Sequence, residues 1–169
     1  MSSRIAANQQ RTFLALLAQV LPHVASDSAL PRRIKELLSR NRAFGSRDRR
    51  LYRELIYTAI RFLPWVRPFL ERSPDEAARL VAWLAPEVKD TVAFRAALLV
   101  EWPAVPLTLA EKSAILTGRL PVAGLPAPVF PPESLLPAWF REHCPAAFVS
   151  PQLDRLNERA SLWVRLQVK

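Results

Sequence analysis

The sequence predicts an all-α fold: a helical bundle over residues 1–120, a proline-rich linker over 121–132, and a short, incomplete α/β module over 133–169. Three observations carry that prediction. Apolar residues recur at three-and-four spacing through most of the first 120 residues, the period of a helix with one buried face. The 16 prolines fall mainly between those segments, where they punctuate helices instead of breaking them. One run alone, 161–168 (SLWVRLQV), alternates with the period of a strand. At 169 residues and 50% apolar composition, the chain can bury a real core.

The elements follow in order. Residues 3–24 read as a first helix on the spacing of Phe13, Leu14, Leu17, Ala18 and Leu21, with Pro22 closing or kinking it. Asp27 or Ser28 can cap a second helix, with Pro31 in its first turn, running to about Arg42. Gly45 ends that stretch, and Ser46 caps the next helix with Asp48 at the positive end of the dipole. Over Ser46 to Leu63 the pattern is clearest. At 100° per residue, Leu51, Tyr52, Leu55, Ile56, Ala59, Phe62 and Leu63 share one face, and Arg47, Arg50, Arg53, Glu54, Tyr57 and Arg61 share the other.

Beyond Pro64, residues 65–72 continue as a kinked or new helix, and further helices follow near 74–85, 87–101 and 108–119. Trp83 and Trp102 are expected in the core. The five prolines of 121–132 (PVAGLPAPVFPP) give an extended linker. Helices at about 133–143 and 151–159 and the strand-like run complete the chain; a single strand cannot stand alone, so it must pair with something.

Composition excludes several kinds of chemistry. Gly45, Gly118 and Gly124 stand too far apart for a phosphate-cradling or dinucleotide loop. One cysteine, Cys144, rules out an internal disulfide and favours a reducing, cytoplasmic setting. Two histidines, His23 and His143, form no cluster at metal-ligand spacing, so no metal is expected. His143 and Cys144 are adjacent, but neighbours on a helix point in different directions, and no orienting carboxylate follows. No stretch approaches a membrane span, and the largely polar first twelve residues predict no secretory leader.

Charge is the informative feature. The net charge of +9 is confined to one end: residues 1–67 hold 13 Lys and Arg against 4 Asp and Glu, whereas residues 68–169 hold 11 of each. Arg32, Arg33, Lys35, Arg40, Arg42, Arg47, Arg49, Arg50, Arg53 and Arg61 crowd into one stretch. Guanidinium grips phosphate through two hydrogen bonds and stacks on an unpaired base, so a polyanion partner is favoured over compositional bias.

Two blocks carry a family resemblance. Ser46-Arg47-Asp48-Arg49, Leu51, Glu54-Leu55-Ile56-Tyr57, Ile60-Arg61 and Leu63 resemble the DR…ELVYGVLR-type central helix of NusB-like domains. Leu135-Leu136-Pro137-Ala138-Trp139-Phe140 and Leu162-Trp163-Val164-Arg165-Leu166 resemble the LP-x-W and LWLRVN segments of the Sun/Fmu RNA (cytosine-5)-methyltransferases. The resemblance implies that 1–120 is a NusB-like RNA-binding domain and that 133–169 is a connecting module. A catalytic domain binding S-adenosylmethionine would follow in cis, absent from this chain. The chain itself is then expected to be non-catalytic, to bind no cofactor, and to hold RNA, ribosomal RNA by the family's habit. Cys144 matches neither family cysteine and takes no role from it. The candidate RNA-binding residues are Arg47, Arg50, Arg53, Tyr57 and Arg61, with Arg32, Arg33, Arg40 and Arg42 upstream. Arg49, about 100° from Arg50 and nearer the core edge, is expected to pair with an acid. The alternative is a stand-alone NusB-like factor joining RNA and protein in transcription antitermination.

Overall fold

The computed structural model describes residues 3–99, 101–120 and 130–158, and every regular element among them is helical. The chain divides into two compact units, 1–107 and 108–169.

In the first unit, helix α1 (Ser3–Val20) buries Ala6, Phe13, Leu16, Leu17 and Val20. Of the expected face Phe13 and Leu17 are buried, Leu14 and Leu21 half-buried and Ala18 exposed, so the core-facing stripe is turned from the one the spacing marked. Pro22 then sits in a 3₁₀ turn, 21–23. Helix α2 (Leu30–Arg40) opens with Pro31 in its first turn. Asp27 closes the turn ahead of it: Oδ1 accepts from the Ala29 amide at 2.8 Å and Oδ2 from Arg33 Nε at 2.6 Å.

Helix α3 (Ser46–Arg61) begins one residue differently from the sequence expectation. Gly45 holds the cap position in extended backbone, and Ser46 is the first helical residue. The side chain that reaches back is Asp48, whose Oδ2 accepts from the Gly45 amide at 3.3 Å. A carboxylate in the first turn both satisfies that amide and opposes the helix dipole, which a serine hydroxyl does less well. The predicted apolar face is buried in full, from Leu51 to Leu63. Pro64 has no N–H to donate to the Ile60 carbonyl, so the ladder of α3 stops and α4 (Leu63–Arg72) starts afresh.

Helix α5 (Pro74–Leu84) is buried almost all round, from Ala77 to Leu84, and packs against α1, α3, α4 and α6. Its last carbonyls have no glycine cap. Arg95 serves instead, donating from Nε to the Ala82 carbonyl at 3.1 Å and from Nη2 to that of Ala85. Arg95 lies on α6 (Lys89–Leu98), which is shorter at both ends than the predicted 87–101. Trp83 is fully buried as expected, with Nε1 donating to the Pro103 carbonyl at 2.8 Å; Trp102 packs beside it at 5.7 Å, half-buried.

The second unit starts ahead of α7 (Leu109–Arg119), not at the proline run. Thr108 and Glu111 form a capping box: Thr108 Oγ1 accepts from the Glu111 amide, and Glu111 Oε2 accepts from the Thr108 amide, each at 3.3 Å. Asp154 ties this helix to α9 (Gln152–Leu156), accepting from the Leu109 amide at 2.7 Å and from Ser150 Oγ at 2.6 Å. The Leu109 amide and then the Ser150 hydroxyl hold the Asp154 carboxyl below its ordinary range. The helix predicted at 133–143 is split by Pro137 into a 3₁₀ turn, 132–135, and the short α8 (Phe140–His143). Residues 121–129 of the expected linker and the whole strand-like run 161–168 lie outside the described residues.

Candidate nucleic-acid interface

Helix α3 is fixed by its buried face, so its remaining side chains emerge along two flanks, each facing a different neighbour. Helix α2 runs along one flank. Between the two helices lies a groove enclosing about 450 Å³. Ile34 and Leu38, both buried, supply apolar surface from α2, with Pro31 at its end. Lys35 and Ser39 of α2 and Arg49, Arg50, Arg53 and Tyr57 of α3 line the rest, and no carboxylate does so among the described residues.

The other flank meets α1 and α6. A depression of about 550 Å³ there is lined by Arg47 and Lys89, but also by Asp48 and Asp90. Asp90 Oδ2 accepts from Arg50 Nε at 3.0 Å, and Asp48 Oδ1 accepts from Gln9 Nε2 at 3.2 Å.

The structure therefore brings together only part of the sequence-predicted set. Arg50, Arg53 and Tyr57 line the groove; Arg47 lies on the acidic flank, and Arg61, half-exposed, does not line the groove. Arg53 is exposed, and its ion pair among the described residues is the weak neighbouring contact to Glu54 at 3.5 Å. Of the upstream arginines, Arg33 is committed to Asp27, and that hydrogen bond is the first cause of the lowered Asp27 pKa, ahead of the Ala29 amide. Arg32 and Arg40 stand 4.0 and 3.9 Å from Glu36 on the exposed side of α2. Arg42 is exposed in the connection to α3 and forms no ion pair among the described residues.

The expectation for Arg49 is overturned. It is exposed, lines the groove, and pairs with no acid among the described residues, whereas its neighbour Arg50 is the one paired. A helical wheel gives the angle of each residue about the axis but not which helix lies beside it, and Asp90 arrives from 40 residues away. Sequence reasoning also missed Lys35 as a site residue. The available signal was its place between Ile34 and Leu38, beside the apolar stripe of α2.

No protein-family model, curated protein or solved structure matches this chain.

The groove's chemistry rests on its own geometry. Guanidinium and ammonium groups along a rim bind phosphate oxygens through charge-assisted hydrogen bonds, and an aromatic ring above apolar carbon takes the face of a base. In the second unit, the His143 ring packs edge-on against Trp139 at 6.1 Å, and no hydrogen bond joins it to Cys144 among the described residues. No group of His, Cys, Asp and Glu is placed to hold a metal among the described residues, and no described helix is long and apolar enough to cross a membrane.

Proposed function

We propose that this chain is the RNA-holding, non-catalytic front end of an S-adenosylmethionine-dependent RNA (cytosine-5)-methyltransferase of the Sun/Fmu kind, acting in the cytoplasm on ribosomal RNA. Its first unit is a NusB-like bundle, and the chain positions structured RNA for a catalytic domain in cis. One observation carries the RNA part of this reading: five groove-lining residues, Lys35, Arg49, Arg50, Arg53 and Tyr57, are gathered from two helices around apolar carbon with no carboxylate among the described lining. The two sequence blocks that resemble this family support the rest. The cofactor belongs to the catalytic domain, because this chain has no glycine-rich loop to cradle it.

Filter binding of the chain to a structured ribosomal RNA fragment across a salt series tests the reading. Neutralised phosphates release counterions, so log affinity falls linearly with log salt, by about 0.7 to 0.9 per contact. Salt-independent or absent binding ends it. Isothermal titration with S-adenosylmethionine is expected to show no heat of binding, and micromolar affinity would assign the cofactor to this chain instead.

A further inference from the structure

We infer that the α2/α3 groove takes an unpaired nucleotide, its base lying against Tyr57 and its flanking phosphates held by Lys35, Arg49 and Arg53; this rests on the RNA reading above. A flat array of cations on a helix face would serve duplex and single strand alike. This site is built otherwise. Its cations rim a recess of about 450 Å³ whose lining also includes Ile34, Leu38 and Pro31. A duplex presents phosphates and ribose hydroxyls outward and keeps its bases stacked within, so it can satisfy the rim but has nothing to place in the recess. An unstacked base has two apolar faces and a polar edge, which match such a recess and an aromatic wall.

Tyr57 is placed for this role. It is half-buried and lines the groove, so packing holds it beside the recess that a base would enter. Arg50 is tied to Asp90 on its far side and helps to fix the wall. Arg49 and Arg53 are both exposed where they line the groove, and guanidinium adds planar stacking to charge. Rim guanidiniums paired with an aromatic wall favour a nucleotide over an acidic peptide, which would use the charge and leave the ring without a planar partner.

The test uses the full chain and fluorescein-labelled oligouridine of about 12 nucleotides, a footprint ordinary for single-strand binders. Three further probes accompany it: its duplex with oligoadenosine, the same strand carrying abasic sites, and polyglutamate. The expected result is tighter binding of the single strand than of the duplex. Abasic sites should weaken binding by roughly 5-fold or more, the loss of one stacked base. Tyr57→Ala should lose the same factor on oligouridine and nothing further on the abasic strand, with an unchanged salt slope; Tyr57→Phe should bind like the parent. The abasic comparison uses the unaltered chain, so misfolding of a variant cannot mimic it. Equal affinity for duplex and single strand, or indifference to abasic sites, overturns the inference while a persisting salt slope leaves RNA binding in place. Binding of polyglutamate in preference to every RNA overturns both.

Discussion

Along α3, the flank that meets α2 and the flank that meets α1 and α6 both carry arginine, but acids line only the second among the described residues. On the α2 side, Lys35 and Arg49 have no ion pair among the described residues. On the α6 side, Arg50 is held by Asp90, and Arg47 and Lys89 share their depression with Asp48 and Asp90. A cation near a carboxylate is already half-neutralised, and a phosphate approaching it meets repulsion from the acid. What separates a binding flank from a structural one is thus the neighbouring helix, not the arginine content of α3 itself.

The largest effect follows from that difference. A variant combining Lys35→Ala, Arg49→Ala and Arg53→Ala should bind RNA with a salt slope flatter by about two to three units, one contact per cation. The matching variant of the other flank, Arg47→Ala with Lys89→Ala, should flatten the slope by at most about one. Both are read by filter binding across the same salt series, with circular dichroism to show that the helices remain. Equal slopes for the two variants would erase the distinction between the flanks and spread binding over the whole basic end.

How much of this was legible in the sequence depends on the question. Helix positions and the buried face of α3 follow from local periodicity, and Leu51, Tyr52, Leu55, Ile56 and Ala59 are buried as spaced. Prolines placed most boundaries, as Pro22 and Pro64 show. The groove was only half legible, because its second wall comes from α2 and its competing acid from α6. Arg49 and Arg50 are adjacent in sequence, and nothing local says that one would face open groove and the other Asp90. Nor does local periodicity say that α7 falls in the second compact unit. Helix α7 is tied to Asp154, 45 residues on, through its first amide, a hydrogen bond that periodicity does not encode.

A smaller effect should separate capping from binding. Asp48 accepts hydrogen bonds from the Gly45 amide and from Gln9 Nε2, so Asp48→Ala removes both a first-turn acid and a tie between α1 and α3. Thermal melts should show a loss of about 1 kcal/mol, in the range of a helix cap. RNA affinity should not fall, and a slight rise is expected as an acid beside Arg47 is removed. A clear drop in affinity in a folded Asp48→Ala variant would place Asp48 among the binding groups and contradict its assignment to the structural flank.

The smallest effect decides what Arg50 is for. Its pair with Asp90 has side chains 55% and 16% exposed, so water screens one partner well and the other poorly. Such a pair is worth about 0.5 kcal/mol, within the 0.2–1 kcal/mol usual for exposed ion pairs. Asp90→Ala alone overstates it, because Asp90 also lies in the first turn of α6 and opposes that helix dipole. The double-mutant cycle of Arg50→Ala and Asp90→Ala cancels that second contribution and leaves the pairwise coupling. Chemical denaturation should give a coupling near 0.5 kcal/mol that shrinks in high salt, while Arg49→Ala, lacking an acid partner among the described residues, should leave stability within about 0.5 kcal/mol of the parent. If Arg49→Ala is the costly change and the Arg50–Asp90 coupling is nil, then Arg49 is the structural arginine after all, and the two flanks exchange roles.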